Sequence, residues 1–115
     1  MTKVVFFAFR SDPTCFMHAI LNALDLEQKG MWGEIVFEGK STQLIPLISQ
    51  PDHFIYPLYE QAKSRGMFYG ACQVCSQEMG VTEIAKSENI PLIGDMSGHP
   101  PMSDFIKQGY SIITL

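Results

Sequence analysis

The chain has 115 residues, 46% of them apolar and 17% charged, with a formal net charge of −4. That length suits one domain with its own core, residues 1–115, and the composition is that of a packed globule rather than a disordered chain. The acidic balance, with no cluster of Lys and Arg, excludes nucleic acid as an expected partner, because phosphate binding needs basic side chains gathered on one face.

Lys3–Phe9 is a continuous apolar run with β-branched and aromatic residues, which predicts a central strand. Val4 to Phe9 is too short to span a bilayer and lacks the features of a secretory signal. No membrane association is expected, and the chain is placed in the cytoplasm, where thiols are mostly reduced. Asp12 reads as a helix N-cap with Pro13 at the first helical position, Met17, Ile20, Leu21 and Leu24 as the buried stripe, and Lys29–Gly30 as the close. Glu34–Phe37 predicts a second strand. Leu44 to Ile48 reads as partly helical, started or kinked by Pro46. Pro57 to Arg65 predicts a helix ending at Gly66, and Met67–Ala71 a third strand. Thr82 is expected to cap a short helix carrying Ile84 and Ala85. Pro91–Gly94 then reads as strand four, Asp95–His99 as a loop, Pro100–Pro101 as the opening of a last helix, and Tyr110–Leu115 as the final strand.

Five strands alternating with helices imply an α/β fold: a three-layer α/β/α sandwich around a five-stranded, mainly parallel sheet with right-handed crossovers. In such a fold the loops that follow the strands share one edge, where ligands and chemistry collect. On that reading all three cysteines and two of the three histidines fall on the same edge. The odd number of cysteines argues against a structural disulfide framework.

The most informative stretch is Cys72-Gln-Val-Cys75, directly after strand three. A two-residue spacer lets two sulfurs meet, for thiol chemistry or on a metal. Cys15, the third residue of the first helix, would lie near the positive end of the helix dipole, with His18 one turn onward. His99, between Gly98 and Pro100, would act as a proton donor or positive neighbour to a thiol. Asp12 joins Cys15, His18 and His99 as the expected surround. Packing is the plainer role for each: a small buried Cys15, a hydrogen-bonded His18, a capping His99. Zinc needs four ligands, and Cys15, His18, Cys72 and Cys75 would supply them only if the loops after strands one and three are neighbours. No Walker or Rossmann glycine loop and no Gly-x-Ser-x-Gly elbow is present, so no nucleotide cofactor is expected.

With Cys72, Cys75 and a glycine at Gly80, eight residues after the first thiol, the chain resembles the DsrE/DsrF-like (YchN-like) family of small cytoplasmic α/β proteins. The segment Asp95-Met-Ser-Gly-His-Pro100 is similar to that of an uncharacterised branch of the family. Where relay members carry basic residues before the glycine, this chain has Glu78 and Met79. The resemblance implies a sulfur relay or thiol-redox role, with Cys72 as the persulfide-accepting nucleophile and Cys75 resolving the product. It also implies a homo-oligomer that meets a sulfur-donor or acceptor protein, and Trp32, Phe54, Tyr56 and Tyr59 near loops would suit a subunit interface. The alternative is a non-catalytic oligomeric binding module with a Cys/His metal site.

Overall fold

Residues Met1–Leu115, all described by a computed structural model, alternate strand and helix along the chain. The strands are β1 (Lys3–Ala8), β2 (Trp32–Phe37), β3 (Phe68–Cys72), β4 (Leu92–Ile93) and β5 (Tyr110–Thr114). The helices are α1 (Pro13–Gln28), α2 (Ile45–Ile48), α3 (Tyr56–Ser64), α4 (Gln73–Glu78), α5 (Thr82–Ser87) and α6 (Met102–Lys107), with a 3-10 turn over Gly39–Leu44 leading into α2. The five strands run in the order β4-β3-β2-β1-β5, and every neighbouring pair is parallel.

Strand order and core agree on which face each helix covers. Alternate residues of a strand point to opposite faces. Phe6, Ala8, Ile35 and Phe37 meet α1, α2, α3 and α5 in one cluster of 20 buried residues. Val5, Phe7 and Val36 point the other way, into a cluster of four whose remaining member is Phe105 of α6. From β1 to β4 the chain advances in one direction across the sheet, so its right-handed crossovers stack on one face. The β4 to β5 connection reverses past β1, and α6 therefore lands on the opposite face. The expected three-layer α/β/α sandwich is thus present, with unequal layers.

The boundaries differ from expectation in places that have physical reasons. α4 was not anticipated, because its segment carries no apolar stripe and buries only Ser76. Thr82 is the first residue of α5 and not its cap; Val81 holds the cap position, and the Thr82 hydroxyl is buried without a partner. β4 shortens to two residues. Of the four aromatic residues expected near an exposed surface, Phe54 alone is exposed: Tyr59 is in the core, and Trp32 and Tyr56 are half-buried against it. No helix is long and apolar enough to cross a membrane.

Candidate functional site

Three adjacent strands end along one edge of the sheet, and each end delivers a polar side chain to the same point. Cys72 closes β3. Glu38 follows the last residue of β2, and the register pairs Phe37 with Ala71, so Glu38 and Cys72 leave the sheet side by side. Ile93 of β4 pairs with Cys72, and the loop after β4 carries His99. Cys75 lies in the first turn of α4. The carboxylate, both thiols and the imidazole offer donor atoms that all lie within 4.8 Å of one another.

Local hydrogen bonds fix each member. The Ser41 hydroxyl accepts from the Glu38 amide at 3.0 Å and lies 2.6 Å from the Ala8 carbonyl, tying the end of β2 to that of β1. His99 is held by a tight turn: the amide of Met96 donates to the carbonyl of His99 and the amide of His99 to the carbonyl of Met96, each at 2.9 Å. The two residues between them, Ser97 and Gly98, both have positive φ, 51° and 90°, a backbone combination that favours glycine and small polar residues. At Gly98 space decides as well, since a Cβ there would come within 2.1 Å of Val74 Cγ2. The Gly98 carbonyl accepts from the Val74 amide at 3.0 Å, which clamps the turn onto the start of α4.

The sulfur of Cys72 is fully buried but not sealed in hydrocarbon. His99 Nδ1 lies 3.1 Å away, the Gly98 carbonyl 3.6 Å, and the Cys75 amide donates to it at 3.5 Å. Burial pushes the Cys72 thiol up to about 12 from an ordinary 9.0; the Cys75 amide pulls it down, while the Cys75 side chain and the Glu38 carboxylate add to the rise. At neutral pH Cys72 therefore rests as a thiol. Cys75 is only half-buried, and its sulfur is 4.0 Å from Glu38 Oε1. Glu38 Oε1 is 3.8 Å from His99 Nδ1; the Glu38 side chain is 10% exposed and that of His99 40%.

Of the residues singled out from sequence, Cys72, Cys75 and His99 come together. Cys15, His18 and Asp12 do not join them. The sheet order gives the reason: β2 lies between β1 and β3, so the start of α1 is not next to the Cys72 edge. The zinc set of Cys15, His18, Cys72 and Cys75 is therefore not the one the fold assembles. Asp12 caps α1, accepting from the amides of Thr14 at 2.9 Å and Cys15 at 3.5 Å. His18 is exposed on α1. Glu38 is the member that sequence reading missed. Its signal was a carboxylate directly after the apolar end of a central strand. A shallow concavity of about 360 Å³, lined by Lys86, Asn89, Ile90, Pro91 and Leu92, opens at the start of β4, the opposite end from the thiols.

No protein-family model matches the chain. It is 27% identical over 99 residues to the uncharacterised protein MJ0733 of Methanocaldococcus jannaschii, covering 86% of this chain and 78% of that protein. Its fold is shared with the solved structure of a conserved protein of unknown function, BT1422 from Bacteroides thetaiotaomicron. That match has a TM-score of 0.68 at 21% identity and covers 98% of this chain and 94% of the other.

Proposed function

We propose that the chain is a sulfur-relay or thiol-redox protein whose working unit is the Cys72–Cys75 pair with His99. One observation carries this reading: an interior thiol 3.1 Å from an imidazole nitrogen, beside a second thiol that solvent reaches in part. Thiol exchange depends on access as well as on thiolate character. Exposure therefore supports reversing the order of thiols expected from sequence, with Cys75 outside and Cys72 inside.

In the relay form, the Cys75 thiolate attacks the outer sulfur of a donor persulfide. A sulfur–sulfur bond forms to Cys75, the donor's own sulfur–sulfur bond breaks, and the donor leaves as its thiolate. Cys72 then attacks the Cys75 sulfur and gives its proton to His99 Nδ1. Hydrosulfide departs and a Cys72–Cys75 disulfide remains, which an external dithiol reduces. In the redox form a disulfide substrate replaces the persulfide, and two thiols leave in place of thiol and hydrosulfide. The likeness of Cys72…Gly80 to the DsrE/DsrF-like pattern supports the relay form, and with it a homo-oligomer that meets a sulfur-donor protein.

The test is intact-mass analysis of the reduced, chelator-treated protein after exposure to a low-molecular-weight persulfide. The wild type should gain one sulfur atom or lose two hydrogens. Cys72→Ser should accumulate the added sulfur, and Cys75→Ser should gain none. A wild type that stays unchanged, or uptake that persists in Cys75→Ser, overturns the reading.

A further inference from the structure

We infer that Glu38, Cys72, Cys75 and His99 form a site for one thiophilic divalent cation of the zinc class. The inference stands apart from sulfur transfer, since a chain that never accepts sulfur can still hold the ion.

Donor chemistry comes first. Two sulfurs, an imidazole nitrogen and a carboxylate oxygen are a mixed soft and borderline set of the kind Zn²⁺ takes, and one that Mg²⁺ and Ca²⁺ do not select. Distances come second. A tetrahedral ion with bonds of about 2.0–2.3 Å sets its ligand atoms roughly 3.3–3.8 Å apart. The imidazole nitrogen is 3.1 Å from the Cys72 sulfur and 3.8 Å from the Glu38 oxygen, and that oxygen is 4.0 Å from the Cys75 sulfur. With every donor within 4.8 Å of the others, small side-chain movements close the shell.

Rigidity is the third point. The donors come from the ends of three neighbouring strands and the first turn of α4, and hydrogen bonds tie these segments together through Ser41 and Gly98. The fourth point is charge. Glu38 is nine-tenths buried, yet no Lys or Arg lies within ion-pair distance, and the His99 imidazole at 3.8 Å is the one basic group beside it. A buried carboxylate without a cation is costly. A divalent ion here supplies the missing positive charge, and binding releases the two thiol protons to solvent. The Cys75 amide that donates to Cys72 Sγ is placed to support a bound thiolate.

Metal and sulfur cargo would then exclude one another, because both need the same lone pairs. The experiment uses the full reduced chain, stripped by chelator and titrated with Zn²⁺ alone, read by native mass spectrometry and by competition with a chromophoric chelator. One ion per chain is expected. Cys72→Ser, His99→Ala and Glu38→Gln should each weaken binding by at least about tenfold, while Cys15→Ser leaves it unchanged. Zn²⁺ should protect Cys72 and Cys75, but not Cys15, from alkylation. Because His99 is partly exposed, His99→Ala keeps the test open should Cys72→Ser fail to fold. No bound ion at equimolar Zn²⁺ overturns the inference, as does binding that survives both His99→Ala and Glu38→Gln. The sulfur-uptake experiment is run metal-free, so failure of one reading leaves the other to be judged by itself.

Discussion

Cys72 and Cys75 differ in what water can reach. Cys72 is fully buried, whereas Cys75 and Cys15 are half-buried. Alkylation followed by peptide mass mapping should therefore modify Cys72 last. Its rate should keep climbing with pH up to about 12, where the buried thiol gives up its proton. A Cys72 that reacts as fast as Cys75 at neutral pH would contradict the structure. Gly98 gives a second prediction. Gly98→Ala adds a methyl where Val74 already sits, on a backbone with φ of 90°. A loss of about 2–4 kcal/mol is expected in urea unfolding, partly recovered by adding Val74→Ala. At this scale the sequence was readable for thiols and imidazole, whose chemistry is rare enough to draw notice. Glu38 escaped because a carboxylate at a strand end looks like any solvated loop residue. Only the register that sets it beside Cys72 tells otherwise.

Among elements, α3 and α5 are joined through Glu88, the residue at the end of α5. Its carboxylate accepts from the Tyr59 hydroxyl at 2.6 Å and from Lys63 Nζ at 3.0 Å. Burial pushes the Glu88 carboxyl up, but the Tyr59 and Lys63 contacts outweigh it and hold it below its usual range. A carboxyl depressed in the folded state adds stability that is present above its unfolded value and lost as pH falls through its folded one. Stability measured by urea between neutral pH and pH 3 should thus fall less steeply in Glu88→Gln than in the wild type. Glu88→Ala should cost about 1–3 kcal/mol at neutral pH, because the Tyr59 hydroxyl is left buried and unpaired; an unchanged midpoint would sink this account. Longer elements were legible from apolar spacing and from Asp12, Pro13 and Gly30. α4 was not, because it is held by its neighbours: Cys72 caps it and the Gly98 carbonyl takes the Val74 amide. No local pattern announces such a helix.

For the whole molecule, the parallel α/β character was legible from alternation, but strand order was not, since every strand reads alike until it has a neighbour. That gap misplaced Cys15 and His18, which would meet Cys72 only if β1 lay beside β3. The unequal layers set the last prediction. Phe105 of α6 packs edge-on to Phe7 and Tyr110 and against Tyr69, with ring centres 4.7–5.5 Å apart, and it is the one helical residue in the smaller buried cluster. Phe105→Ala should cost about 3–5 kcal/mol, whereas Ile106→Ala, at a side chain 64% exposed, should stay within about 0.5 kcal/mol. Calorimetry on the pair distinguishes them, and equal effects would mean that α6 does not seal this face. The sheet order also divides labour across the molecule: every donor belongs to the β2–β3–β4 flank and none to the α6–β5 flank. Evolution or an engineer can thus remodel the β5 margin, decorating it or grafting a companion onto it, while the reactive corner keeps its shape. A single-residue insertion after Phe37 would dismantle that corner without unravelling the barrier of aromatic rings behind it.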